Sequence, residues 1–101
     1  MKDPHAEARQ KLEDAALRGP ARTAASLRQA LAAQNEMDTP EDLRVLARKI
    51  EKHPIQVTDG DFAVLRAKYS EDELFEIVVS TALGASRRRL SAGLAALEQV
   101  E

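Results

Sequence analysis

Residues 57–90 read VTDGDFAVLRAKYSEDELFEIVVSTALGASRRRL, and the order of signals in this stretch decides the fold class. Thr58 followed three positions later by Asp61 is a capping box: each side chain can satisfy a backbone amide that the first turn of a helix leaves unpaired. Ser70 and Glu73 repeat the device. Two helices are therefore predicted, over 58–68 and 71–84, with Lys68-Tyr69 leaving only a tight corner between them. Phe62 and Leu65 face inward on the first. On the second, the run from Leu74 to Leu83 is apolar on far more than one face despite Glu76, as expected of a central helix. Ile77, Val78, Val79 and Thr81 are β-branched residues that also suit a strand, but the cap before them and the length of the run favour helix. Phe75, Val78, Val79 and Leu83 are the expected centre of the core. Gly84-Ala85-Ser86 then reads as an end and a new start, opening a last helix with a seam of Leu90, Leu94 and Leu97 beside Gly93 and Ala96.

Upstream the same grammar continues. Asp3-Pro4 marks a helix start, with Ala8, Leu12, Ala15 and Ala16 on one face before Gly19-Pro20 ends it. A helix over roughly 22–34 carries Leu27, Ala30 and Leu31, with Asn35 as its left-handed terminator. Thr39-Pro40-Glu41-Asp42 starts another, on which Leu43, Leu46, Ala47 and Ile50 recur at helical spacing until His53-Pro54 stops it. No strand pattern or repeat stands out, so the expectation is one all-α domain over 1–101 with about six short helices.

Composition narrows the functions. The chain has 101 residues, and its 25 Leu, Ile, Val, Phe and Met stand beside 18 Ala, so much of its apolar content buries little area. Self-association would help such a chain. It has no Cys, which removes disulfides, thiolate metal sites and cysteine redox chemistry. A net charge of −2 with the signs interspersed favours neither nucleic acid nor an anionic membrane. Near Met1 there is no apolar leader, and no run reaches the roughly 18 residues of a membrane span. A cytoplasmic protein is expected.

The residues Lys52-His53-Pro54, Val57-Thr58-Asp59, Asp61, Leu65-Arg66, Ser70-Glu71-Asp72, Leu74-Phe75-Glu76 and Arg89-Leu90 together resemble the carboxymuconolactone decarboxylase and alkylhydroperoxidase (AhpD-like) superfamily, in its peroxidase-related branch. The resemblance covers about residues 40–98. It implies an AhpD-like helical bundle with a family-like core at 39–98, variable helices at 1–38 and assembly into homo-oligomers. Peroxidases of the family carry a Cys-x-x-Cys helix followed by a His. Nothing here matches it, since the helix at 22–34 offers only Ala, Ser, Leu, Arg, Thr and Gln, and no catalytic residue carries over. Arg88 stands where the relatives have Asn, while Arg89 and Leu90 match.

Among individual side chains, no catalytic, cofactor-binding or metal-ligating residue is assigned, and Glu76 and Arg89 are the two candidates worth placing. Glu76 lies in the most apolar helix, where a carboxylate can be perturbed enough for acid-base work. Arg89, next to Arg87 and Arg88 near an expected helix start, suits an anion or a structural pairing with Glu76 or Asp61, with Arg87 and Arg88 solvated. His5 and His53 lack the spacing of a helical metal site. Three functions compete: a non-catalytic interaction or accessory module, a decarboxylase-like enzyme without cysteine, and a helix-turn-helix DNA binder on 58–83. The first is the expectation. Its partner is a second copy, in at least a dimer that includes the C-terminal helix, or a cysteine-bearing relative; no cofactor, nucleic acid or membrane is expected.

Overall fold

In the computed structural model, which describes residues 5–100, five α-helices and two short 3-10 turns hold 79% of the described residues, and no strand occurs among them. The helices are α1 (Ala6–Arg18), α2 (Ala25–Ala32), α3 (Glu41–Lys52), α4 (Asp59–Leu65) and α5 (Glu71–Val100). The Asp3-Pro4 helix start lies outside the described residues. The protein is all-α, as expected. At 30 residues α5 is the spine, packed most extensively on α2 and then on α3 and α1.

Both capping boxes form. The Asp61 carboxylate accepts the Thr58 amide at 2.8 Å at the start of α4. At the start of α5, Glu73 accepts the Ser70 amide at 2.9 Å and donates its own amide to the Ser70 hydroxyl at 3.1 Å. His53 ends α3 and Pro54 opens a 3-10 turn, as read from the sequence. The core collects one apolar face from each of four helices: Leu31 from α2, Leu43, Leu46 and Ile50 from α3, Leu65 from α4, Leu74 and Ile77 from α5.

Four expectations are corrected. Gly84 to Ser86 do not break the last helix; α5 runs through them without interruption, so the two expected helices are one. Gly84 is there because α5 crosses α2 at that point, with a Cβ at 84 falling 1.9 Å from the Ala32 carbonyl oxygen. Phe75 is not in the core but 70% exposed, and Val78, Val79 and Leu83 are only partly buried. The left-handed residue closing α2 is Gln34 (φ 55°), not Asn35. The Asn35 amide bonds the Ala30 carbonyl at 2.9 Å and the Gln34 amide bonds Leu31 at 3.3 Å, a Schellman ending. The Asn35 side chain is engaged with Asp38 instead. Finally, Thr39 does not cap α3: its buried hydroxyl donates to the Asn35 carbonyl at 2.8 Å, and Pro40 precedes the first helical residue.

Candidate functional site

Glu76 projects from α5 into the loop between α1 and α2. One carboxylate oxygen accepts the Thr23 amide at 2.8 Å and the Thr23 hydroxyl at 2.7 Å; the other accepts the Arg22 amide at 3.0 Å. Burial works against its charge, but the hydrogen bonds from Thr23 and Arg22, aided by the nearby Arg28 cation, win and hold the carboxyl below the usual range. A carboxylate so held is an acceptor that anchors a loop. It is poorly set up as a proton donor near neutral pH.

Beneath that loop lies Arg28, 3% exposed. It donates to the carbonyls of Ala16 and Gly19, both 2.5 Å away, closing the C-terminal end of α1, where a cation also meets the negative end of the helix dipole. Its Nε has no partner. Ala16, Pro20, Arg28, Phe75, Glu76 and Ser80 line a cleft of about 240 Å³ between α1 and α5. Arg28 was not singled out from the sequence, because an Arg beside Leu27 looks like a solvated neighbour until α1 folds over it.

Arg89 is elsewhere. It donates to the Glu51 carbonyl at the end of α3, and thirteen residues of helix, roughly 20 Å at 1.5 Å each, separate it from Glu76. The structure therefore does not bring the two candidates together, and Arg89 pairs with neither Glu76 nor Asp61. Asp61 is taken by Lys49 at 2.8 Å, and the Lys49 hydrogen bond, with the Thr58 amide, lowers its pKa. The interior arginine of the triplet is Arg88: it grips both Glu51 oxygens at 3.1 and 2.6 Å and donates to the Ala32 carbonyl. That grip holds Glu51 below the usual carboxylate range. Because the helix continues through Gly84, position 88 comes one turn beyond the Ala32 crossing and on the side of α2 and α3. Arg87 also has a partner, the buried Glu13 at 3.6 Å.

A second cavity of about 210 Å³, between the end of α2 and α3, is lined by Gln34, Glu36, Thr39, Arg44 and Arg48. Its charges are mutually engaged, with Arg48 forked onto Glu36 at 2.5 and 2.9 Å and Arg44 on the Thr39 carbonyl at 3.0 Å. Among the described residues no three His, Asp or Glu side chains gather as a metal site would require, and no helix is long and apolar enough to cross a membrane.

The outer half of α5 differs from all of this. Beyond Arg88 and Arg89, which tie it to α3, it continues to Val100 with almost every residue exposed. Leu90 is 39% and Leu97 40% exposed, and Leu94 is partly buried between them. The seam read from the sequence is present, on the end of a long helix rather than on a separate short one. Comparison of the chain with family models, curated proteins and solved structures gives no match.

Proposed function

We propose that this protein is a non-catalytic assembly module on an AhpD-like helical scaffold without redox cysteines, and that a second copy of itself is its first partner. The observation carrying the proposal is the outer half of α5, where Leu90, Leu94 and Leu97 follow one another at i, i+4 and i+7 past the packed body. A helix of this length gains little from its own propensity beyond the last tertiary contact, and an apolar stripe is what a partner helix covers. Glu76, bonded to the α1–α2 loop, and Arg88, bonded to α2 and α3, are both spent on holding elements together, which leaves them to structure rather than chemistry.

Light scattering from 1 to 100 micromolar should show the mass rising from that of one 11.1 kDa chain to that of two or more. A single-chain mass across the range would overturn the proposal. A peroxide-reduction assay should give no turnover, and turnover would overturn the non-catalytic part.

A further inference from the structure

Arg28 is 3% exposed, and the two acceptors it holds, the Ala16 and Gly19 carbonyls at 2.5 Å each, are both neutral. A guanidinium carries five N–H donors and a charge it does not lose, and a buried charge is normally paired. No carboxylate bonds this one. Glu76, which lines the same cleft, turns both oxygens to the α1–α2 loop and takes three donors there. Among the described residues, Arg28 Nε is also the one buried side-chain nitrogen or oxygen without a hydrogen-bond partner. Closing the end of α1 therefore accounts for two of the arginine's bonds, and for neither its charge nor its free donor.

We infer that the cleft between α1 and α5 is a binding site for a small monocarboxylate with a flat apolar body, and that Arg28 is the group that recognises it. The cleft lies against the inner half of α5, so it is open to a ligand whether or not the outer half finds a second copy.

Each part of that ligand answers a feature of the cleft. The carboxylate suits Nε–H, which with a terminal nitrogen forms the planar edge that two carboxylate oxygens match. Ser80, 2% exposed in the same lining, adds a hydroxyl donor. The flat body suits the apolar walls of Ala16, Pro20 and Val79, with Phe75, 70% exposed, supplying a ring to stack on. Size agrees as well. The cleft holds about 240 Å³, more than the roughly 150 Å³ in which a benzene ring is accommodated. Glu76 limits the ligand to one charge, because a second negative group would meet a carboxylate in the lining rather than a cation. That separates a monocarboxylate from phosphate and from a dicarboxylate.

The test uses the full chain labelled with nitrogen-15, because the Nε–H of an enclosed arginine gives a proton–nitrogen cross-peak of its own. Sodium benzoate is the probe, with sodium chloride and sodium phosphate at matched ionic strength beside it. Benzoate should move the Arg28 Nε–H peak saturably, in the millimolar range expected of a ligand of about ten heavy atoms, while chloride and phosphate leave it in place. Phe75→Ala removes the stacking ring from an exposed position and should raise the half-saturating concentration about three- to tenfold. A peak that moves alike in all three salts, or drifts without saturating, would overturn the site. So would an unmoved peak that exchanges with the water signal, which would give the free donor to solvent. A saturable benzoate shift that Phe75→Ala does not weaken would overturn the flat apolar part and keep the carboxylate on Arg28. Light scattering reads assembly separately, so loss of this site leaves the assembly reading standing.

Discussion

Gly84 of α5 lies against the Ala32 carbonyl at the end of α2, so closely that a Cβ on Gly84 would stand 1.9 Å from the oxygen and 2.6 Å from the carbonyl carbon. Both groups are backbone, so no rotamer change relieves the clash and the helices themselves must separate. Gly84→Ala should destabilise the fold by at least about 2–3 kcal/mol, the overpacking cost outweighing the roughly 1 kcal/mol that Ala gains over Gly in a helix. Gly93→Ala is the control. With open space around it, the same change should stabilise the monomer by about 0.5–1 kcal/mol. Urea unfolding of the two variants measures both, and a neutral Gly84→Ala would mean that the helices do not cross there.

That contact also explains where the sequence could be read and where it could not. Helix starts were legible at Thr58 and Ser70 because a capping box is local, its two side chains and two amides lying within one turn. The stop at His53-Pro54 was legible for the same reason. Gly84 has two meanings, a terminator or a close approach, and only the position of α2 selects the second. Glu76 was picked out as unusual because a carboxylate in an apolar run must find donors, yet those donors are the backbone amides at positions 22 and 23 and the Thr23 hydroxyl, over fifty residues away. Two of the three are backbone groups, which no side-chain pattern announces. Arg88 and Arg89 exchanged roles because an uninterrupted helix fixes the facing of every residue after Gly84, and a helix restarted at Ser86 does not.

Arg88 joins three helices at once, through both oxygens of Glu51 on α3 and the last carbonyl of α2. Arg88→Ala leaves a mostly enclosed carboxylate and a helix-end carbonyl without donors and should cost about 2–3 kcal/mol. Arg88→Lys should recover little, because an ammonium cannot present the planar fork that meets two carboxylate oxygens and a third acceptor together. Thermal unfolding of Arg87→Ala, Arg88→Ala and Arg89→Ala should single out the middle one. Equal shifts for all three would show that the Arg88 contacts carry no special share.

Ile77 and Phe75, two positions apart on α5, should behave in opposite ways to their size. Ile77 is 1% exposed at the meeting of α2, α3 and α5, whereas Phe75 is 70% exposed on the rim of a groove with Phe62 and Arg66. The run 74–83 is apolar nearly all round, so its periodicity does not say which sector the other helices cover. Ile77→Ala should cost about 2–5 kcal/mol, a large part of the margin of about 5–15 kcal/mol expected at this length, while Phe75→Ala should stay below about 1 kcal/mol. Denaturant midpoints give both values. A Phe75→Ala variant as damaged as Ile77→Ala would mean that the ring is covered in solution.

Glu76 links the fold to pH, and the sign follows from its depressed pKa. A carboxyl whose folded pKa lies below its unfolded value, about 4.3 for Glu, contributes stability that is complete above the unfolded value. That contribution is lost as the pH falls through the folded one. Glu51 and Asp61 are lowered too, by Arg88 and Lys49 respectively, so the whole chain should weaken in acid below about pH 4.5. Glu76→Gln isolates one share. The amide keeps one acceptor oxygen for the loop but turns an NH₂ toward a backbone N–H, at a cost of about 1–2 kcal/mol at pH 7. Because the variant has no proton to bind at this position, its stability should fall less steeply with acid, and its deficit against the wild type should shrink between pH 5 and about pH 3. Urea unfolding across that interval measures the difference directly. A deficit that stays constant would mean that Glu76 titrates alike in the folded and unfolded chains, and that the Thr23 and Arg22 donors do not hold its charge.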